Sequence, residues 1–320
     1  MILTSSFLLF TFFAYYLFYT LISGNITVLN TVTLALLGIA GLFFAKQLKV
    51  EWDKIKSQLK RSLDLKQSTT VYTFSALVIG AYLTFFLNHQ LGLGGVLASS
   101  AVGLSGAYLF QKVCSRDHTA VPFVGMACSI IFSNPLSFLL ASIITATLFV
   151  LSLDLFKGFG GKLGFTAFCG TVLASFIFRT PLRTLEPLSA ELYLPLFLII
   201  IAAGLATYFL QDIFSLDAVT ASALVGLLIA VVSPDPGHII VVAAFCATFT
   251  GMVSKERAQN YSEMFFLTIL TAILFIAVAS LFDGSGGKLG ATAFLATVSG
   301  RGMLDFFLII KYALFKRQKI

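Results

Sequence analysis

Eight stretches of this sequence run for about a membrane's thickness with almost no charge: 5–23, 28–45, 71–88, 91–111, 135–153, 192–211, 214–232 and 263–282. An α-helix needs roughly 20 apolar residues to cross ~30 Å of hydrocarbon, so each of these is a candidate span. Shorter apolar stretches fall at 119–133, 163–178, 238–252, 289–299 and 303–315, each able to cross, to re-enter or to form half of a broken helix. Only 11% of the residues are charged, against about 25% in soluble domains. A water-soluble fold cannot absorb that deficit by enlarging its core, so the expected class is an all-α polytopic membrane protein.

The first stretch, Leu3 to Gly24, has no basic residue before it, and its apolar run is too long for a signal-peptide core. It reads as a retained span. Cys114, Cys128, Cys169 and Cys246 are scattered without metal-ligand spacing and read as small packing residues. His89, His118 and His238 lie at segment ends, away from any cysteine or carboxylate at ligand spacing. Without a His-rich, paired-carboxylate or Ser/His constellation, the reading is of a non-enzyme with no catalytic residues, no metal and no cofactor. Nothing points to nucleic acid.

One polar stretch interrupts the pattern. Lys46 to Lys66 carries seven basic residues and three acidic ones, a net of +4, and Trp52, Ile55, Leu59 and Leu63 recur at helical spacing. This predicts an amphipathic helix in the membrane interface, its basic side toward headgroups. Further basic clusters lie at Lys112 and Arg116, at Lys255 and Arg257, and at Lys311, Lys316, Arg317 and Lys319. With all of these placed inside, about twelve segments cross. Both termini are then cytoplasmic, in a bacterial-type inner membrane or plasma membrane, and 303–315 lies at the inner interface. Glu263 reads as solvated, and Asp305 as part of the interfacial segment with Lys311.

The chain also repeats itself. Leu155 to Thr171 reads LFKGFGGKLGFTAFCGT and Leu281 to Thr297 reads LFDGSGGKLGATAFLAT, matching at twelve of seventeen positions with an offset of 126. The register extends back through Thr145, Ala146, Leu148 and Phe149 against Thr271, Ala272, Leu274 and Phe275, and to FVGM at 123–126 against FTGM at 249–252. Earlier the offset becomes 123, with eight matches in fifteen between Leu93–Ala107 and Leu216–Ala230; a three-residue insertion near SPDPGH accounts for the change. The expected organisation is therefore a two-helix addition with the basic helix (1–70), repeat 1 (72–178), repeat 2 (195–300) and a C-terminal amphipathic segment with a basic tail (301–320). Each repeat has five segments. If all five cross, the number is odd and the second copy is inverted relative to the first, a recurring plan of transporters.

The repeated phrase carries the candidate chemistry. Gly160 and Gly161, like Gly286 and Gly287, interrupt the helix just before Lys162 and Lys288. Each phrase reads as a loop opening a helix, whose unpaired N–H groups and partial positive charge suit an anion. Thr166 and Thr292 lie four residues beyond the lysines, on the same face. A lysine within an apolar span is costly and often functional, although a long side chain can also snorkel to the interface. Gly160, Gly161, Lys162, Thr166, Gly286, Gly287, Lys288 and Thr292 are therefore the candidate site for a small solute, with an anion favoured. They would form either one pseudo-symmetric site or a pair of gates in a transporter or channel. The alternatives are a membrane scaffold subunit docking through 46–66 and, with less support, an enzyme on a lipid-linked substrate. Gly95, Ser99 and Gly103, and in the second copy Ala218, Ser222, Gly226 and Ala230, follow small-xxx-small spacing. That suits close helix contacts and could also serve a homo-oligomer.

Overall fold

The computed structural model describes residues 2–25, 31–58, 67–113, 132, 134–235 and 237–317. Eleven α-helices occur among them: α1 (Ile2–Asn25), α2 (Thr31–Gln58), α3 (Gln67–His89), α4 (Gly95–Val113), α5 (Pro135–Leu151), α6 (Lys162–Phe178), α7 (Tyr193–Ile213), α8 (Ala218–Val232), α9 (Ile239–Gly251), α10 (Tyr261–Val278) and α11 (Lys288–Arg317). The regular structure described is helical apart from an isolated bridge between Arg183 and Asp283. Six helices, α1, α2, α3, α7, α10 and α11, are long and apolar enough to cross a membrane, which is compatible with an integral membrane protein. The candidate segment 119–133 and the paired FVGM phrase lie almost wholly outside the described residues.

Side-chain caps set several helix starts, and the cap at Asp217 shortens the predicted span 214–232. Asn134 accepts from the Leu136 amide with Pro135 at the first helical position, so α5 starts there. Asp217 accepts from the amides of Val219 and Thr220 and starts α8. His238 Nδ1 accepts from Ile240 N at the start of α9. α8 has 15 residues, or about 22 Å at 1.5 Å per residue, less than the hydrocarbon thickness.

Two expectations are corrected. The basic stretch does not begin a separate interfacial helix: α2 continues unbroken to Gln58. The predicted apolar face turns inward, with Ile55 buried and Trp52 packed on the core beside Phe7, ring centroids 5.1 Å apart. Burying those side chains against α1 is the alternative to burying them in lipid. Leu59 and Leu63 lie outside the described residues. Likewise 303–315 is not a separate segment, because α11 runs through it from Lys288 to Arg317 as one helix. No proline interrupts it, and Gly300 and Gly302 sit where Leu267 and the Phe43 carbonyl leave no room for a side chain.

The largest core cluster joins α1 and α2 to α6, α10 and α11. Buried hydroxyls mostly bond back to the carbonyl one turn earlier, as Thr84, Ser142, Thr207 and Thr271 do, the usual way for an apolar helix to hide a polar group. Between helices, Ser222 donates to Thr248 at 2.9 Å, and Thr250 and Thr271 pair at 2.8 Å.

Candidate functional site

Lys162 and Lys288 are the first residues of α6 and α11, so both phrases open helices as their sequence predicts. The preceding turns share a backbone path. φ is positive at Phe156 (49°), Gly158 (78°) and Gly161 (76°), and again at Phe282 (54°), Gly284 (69°) and Gly287 (78°), each residue 126 positions from its counterpart. Glycine relieves the strain at two of the three positions in each copy, while the third holds a buried phenylalanine.

The two helix starts meet. A Cβ on Gly164 would lie 2.6 Å from Gly290 Cα, and one on Gly290 would lie 2.5 Å from Gly164 Cα. Gly161 abuts Gly290 O and Phe294 N; Gly287 abuts Gly164 O and Phe168 N. Phe156 meets Phe294 edge-on at 5.2 Å and 88°, and Phe282 meets Phe168 at 5.3 Å and 89°. Each of these contacts recurs with its partners exchanged, as about a local two-fold axis through the crossing. As the numbering rises from 161 to 168 on one helix, the contacted residues fall from 294 to 287 on the other. The first turns of α6 and α11 therefore run antiparallel.

α1 shows how the two loops are arranged. Near its start, Phe7 and Phe10 stack on Phe156 of loop 1 (152–161). Farther along, Tyr16 meets Phe282 at 6.1 Å and Gly24 lies against Leu281, both of loop 2 (279–287). Loop 1 is also held by repeat 2, since Ser254 N donates to Gly158 O at 2.9 Å and Thr297 donates to Gly160 O at 2.9 Å. A side chain on Gly160 would collide with the carbonyls of Phe249 and Thr250, which gives the second FxGM phrase a packing role. Loop 2 is held by the segment after α6, through Asp283 N to Arg183 O at 2.8 Å and Leu185 N to Ser280 O at 2.7 Å.

The crossing brings the glycines together; each lysine is engaged within its own repeat. Lys162 Nζ donates to Leu153 O at 2.9 Å and Lys288 Nζ to Ala279 O at 2.8 Å, again 126 residues apart. Each ammonium thus reaches back to the C-terminal end of the preceding helix, where cations are favoured. The Thr166 and Thr292 hydroxyls donate to Lys162 O and Lys288 O, both at 3.0 Å. Their protons are used inside the helix, leaving acceptor capacity only. Gly164 and Gly290 are in backbone contact, so no solute fits between them here.

Charged residues from α2, α10, α11 and the segment before α10 converge at the loop 1 end. Arg301, buried in α11, donates to Glu263 at 3.1 Å, to Asp305 at 2.5 and 2.9 Å, and to Arg257 O at 3.0 Å. Glu263 and Asp305 are therefore corrected to partners of one guanidinium. The signal was available: a lone arginine in an apolar run, four residues before an aspartate. Arg257 bonds Glu51 of α2 at 2.9 Å, a pairing across 206 positions that no local pattern encodes. Among the described residues, no group of three His, Cys, Asp or Glu could hold a metal.

No protein family, curated protein or solved structure matches the chain.

Proposed function

We propose that this chain is a membrane transporter for a small solute, more specifically an anion. In this reading, two inverted five-segment repeats are joined at the α6–α11 crossing. The observation that carries it is the exchanged, antiparallel contact between the two GGKLG helix starts. Equivalent helices running in opposite directions about a local two-fold axis are what inverted repeats produce, and transporter sites lie where such discontinuous helices meet near the bilayer midplane.

The glycine crossing is the pivot, and the two helix starts are separate stations on either side of it. This is the paired arrangement rather than one shared site. At each station the donors for an anion are the first helical N–H groups, released by Gly160 and Gly161 or by Gly286 and Gly287, together with the remaining ammonium protons of Lys162 or Lys288. Thr166 and Thr292 shape the station and offer an acceptor. The end that gathers Lys54, Lys157 and Arg257 around Glu51 and Asp154 is the cytoplasmic one by the positive-inside rule. In this reading both termini are cytoplasmic and about twelve segments cross the membrane. The scaffold alternative loses support because the apolar face of α2 around Trp52 and Ile55 is already used within the chain.

The test is flux in liposomes holding the full chain, across chloride, nitrate, formate, phosphate and neutral urea, with and without Na⁺ and pH gradients. Anion flux should be lost when Lys162→Met and Lys288→Met are combined and should survive, reduced, in the paired Arg variants. Undiminished flux in the double Met variant rejects the stations, and a solute preference for urea over every anion rejects the anion.

A further inference from the structure

The repeats match in their helix starts but differ sharply in what fastens them. Residues 253–260, between α9 and α10, read VSKERAQN, and their counterparts 127–134 read ACSIIFSN, without a charge. Lys255 and Arg257 face Ser129 and Ile131 in the alignment of the copies, Glu263 faces Ser137, and Arg301 faces Ser175. A two-fold fold with equal halves would close equally well on either end. Among the described residues, the ion-paired fastening lies on the loop 1 end.

The fastening reaches five elements from one short segment. Arg257 donates to Glu51 of α2 at 2.9 Å and twice to Lys157 O of loop 1, at 3.0 and 3.1 Å, with its guanidinium 4.1 Å from the Phe159 ring centroid. Two residues earlier, Lys255 points the other way, 2.6 Å from Asp212 of α7 and over the rings of Tyr208 and Tyr261 at 4.5 and 5.9 Å. The Arg257 carbonyl receives Arg301 of α11, which also holds Glu263 of α10. Tyr208 OH donates to Ala258 O at 2.7 Å. The Arg257 and Glu51 side chains are 12% and 7% exposed, so their pairing is largely shielded from water and salt. Among the described residues, loop 2 is linked to the segment after α6 by two backbone hydrogen bonds.

We propose that 253–260 is a clasp that holds the loop 1 end closed, and that Glu51, on the unduplicated N-terminal addition, is its catch. The inference rests on the transporter reading for its purpose, but its mechanics can be tested without flux. For loop 1 to part from repeat 2, the Arg257 Nε and Nη2 groups must release Lys157 O, and Glu51, bonded to Nη1, holds the guanidinium in the position from which it makes those bonds. The N-terminal addition thereby sets how often that end opens.

Ser254 is the reporter, since its hydroxyl is buried without a hydrogen-bond partner and lies against Gly158. In full-length protein in nanodiscs, with the native cysteines replaced, Ser254→Cys should label slowly with a membrane-impermeant maleimide. Adding Glu51→Gln or Arg257→Gln should speed labelling about tenfold or more, and Lys56→Gln, at an exposed residue on the same helix, should leave it unchanged. Equal rates in all four proteins overturn the clasp. A staple gives a second route if those variants fold poorly. A Cβ on Gly158 would lie 3.1 Å from Ser254 Cβ, against ~3.8 Å typical of disulfides. A cysteine at the Gly158 φ of 78° is strained, so the reduced double variant, which bears the same strain, is the reference. Oxidised Gly158→Cys/Ser254→Cys protein should stop flux and regain it on reduction. Undiminished flux in the crosslinked protein also overturns the clasp. Faster labelling in a protein that carries no solute upholds the clasp and fails the transporter instead.

Discussion

Replacing Gly164 by alanine tests the crossing on which the functional reading depends. The new methyl carbon would sit 2.6 Å from Gly290 Cα and 3.2 Å from Gly290 N, where carbon atoms prefer about 3.5–4.0 Å. The obstacle is backbone, so no side chain can rotate away and the helices must part by about 1 Å. Overpacking of this kind costs about 1–3 kcal/mol. Against it stands the gain of about 0.5–1 kcal/mol from replacing glycine by alanine within a helix. Gly38→Ala in α2 isolates that gain, since a Cβ there meets nothing within 4 Å. Gly164→Ala should therefore be less stable than Gly38→Ala by about 1–3 kcal/mol, and Gly290→Ala by a similar amount. The double variant should lose less than the sum, because helices already parted accept the second methyl more easily. Thermal unfolding in detergent, followed by fluorescence of Trp52, the single tryptophan, measures all four. Gly164→Ala as stable as Gly38→Ala would refute the contact, and with it the pivot.

Three further predictions follow from the polar contacts. Arg301→Met leaves the Glu263 carboxylate, 14% exposed, without its guanidinium and should cost about 3–5 kcal/mol, read as lowered thermal stability; adding Glu263→Met should recover part of the loss. Lys288→Met should speed amide hydrogen exchange in 279–287 and leave 152–161 protected, and Lys162→Met should do the reverse, because each ammonium serves its own loop; exchange measured by mass spectrometry that rose in both loops for either variant would contradict this. Donating a hydrogen bond to the Asp212 carboxylate holds the Lys255 ammonium above its usual pKa of 10.5. Its contribution is therefore fully present below pH ~10.4, the unfolded value, and fades as pH rises through the raised folded value. Stability measured from pH 9 upward should fall more steeply in the native chain than in Lys255→Met.

Much of the fold was legible because it is local. Long uncharged runs must be helices in a chain that cannot hide backbone polar groups from lipid otherwise. The glycine pairs before Lys162 and Lys288 marked helix starts because glycine tolerates the positive φ that Gly161 and Gly287 adopt. The duplication was readable at a fixed offset. Helix ends differ from the local pattern where the Asp217 cap takes over inside the apolar run 214–232, and where α2 and α11 continue through charge without a proline to stop them. The shared face of lysine and threonine was also foreseen, but not that both groups spend protons on nearby carbonyls.

By itself, then, the sequence determined an apolar, all-helical chain that repeats one phrase, with a glycine-flanked lysine opening a helix at each occurrence, since these follow from residue type and short-range spacing. Tertiary structure alone decided that Gly164 lies on Gly290, that Arg257 reaches Glu51 and that Arg301 draws Glu263 and Asp305 to itself. Spacing cannot encode those contacts: residues 126 or 206 positions apart meet only when the helices between them have packed, and a charge inside that packing takes whichever partner the bundle brings within reach.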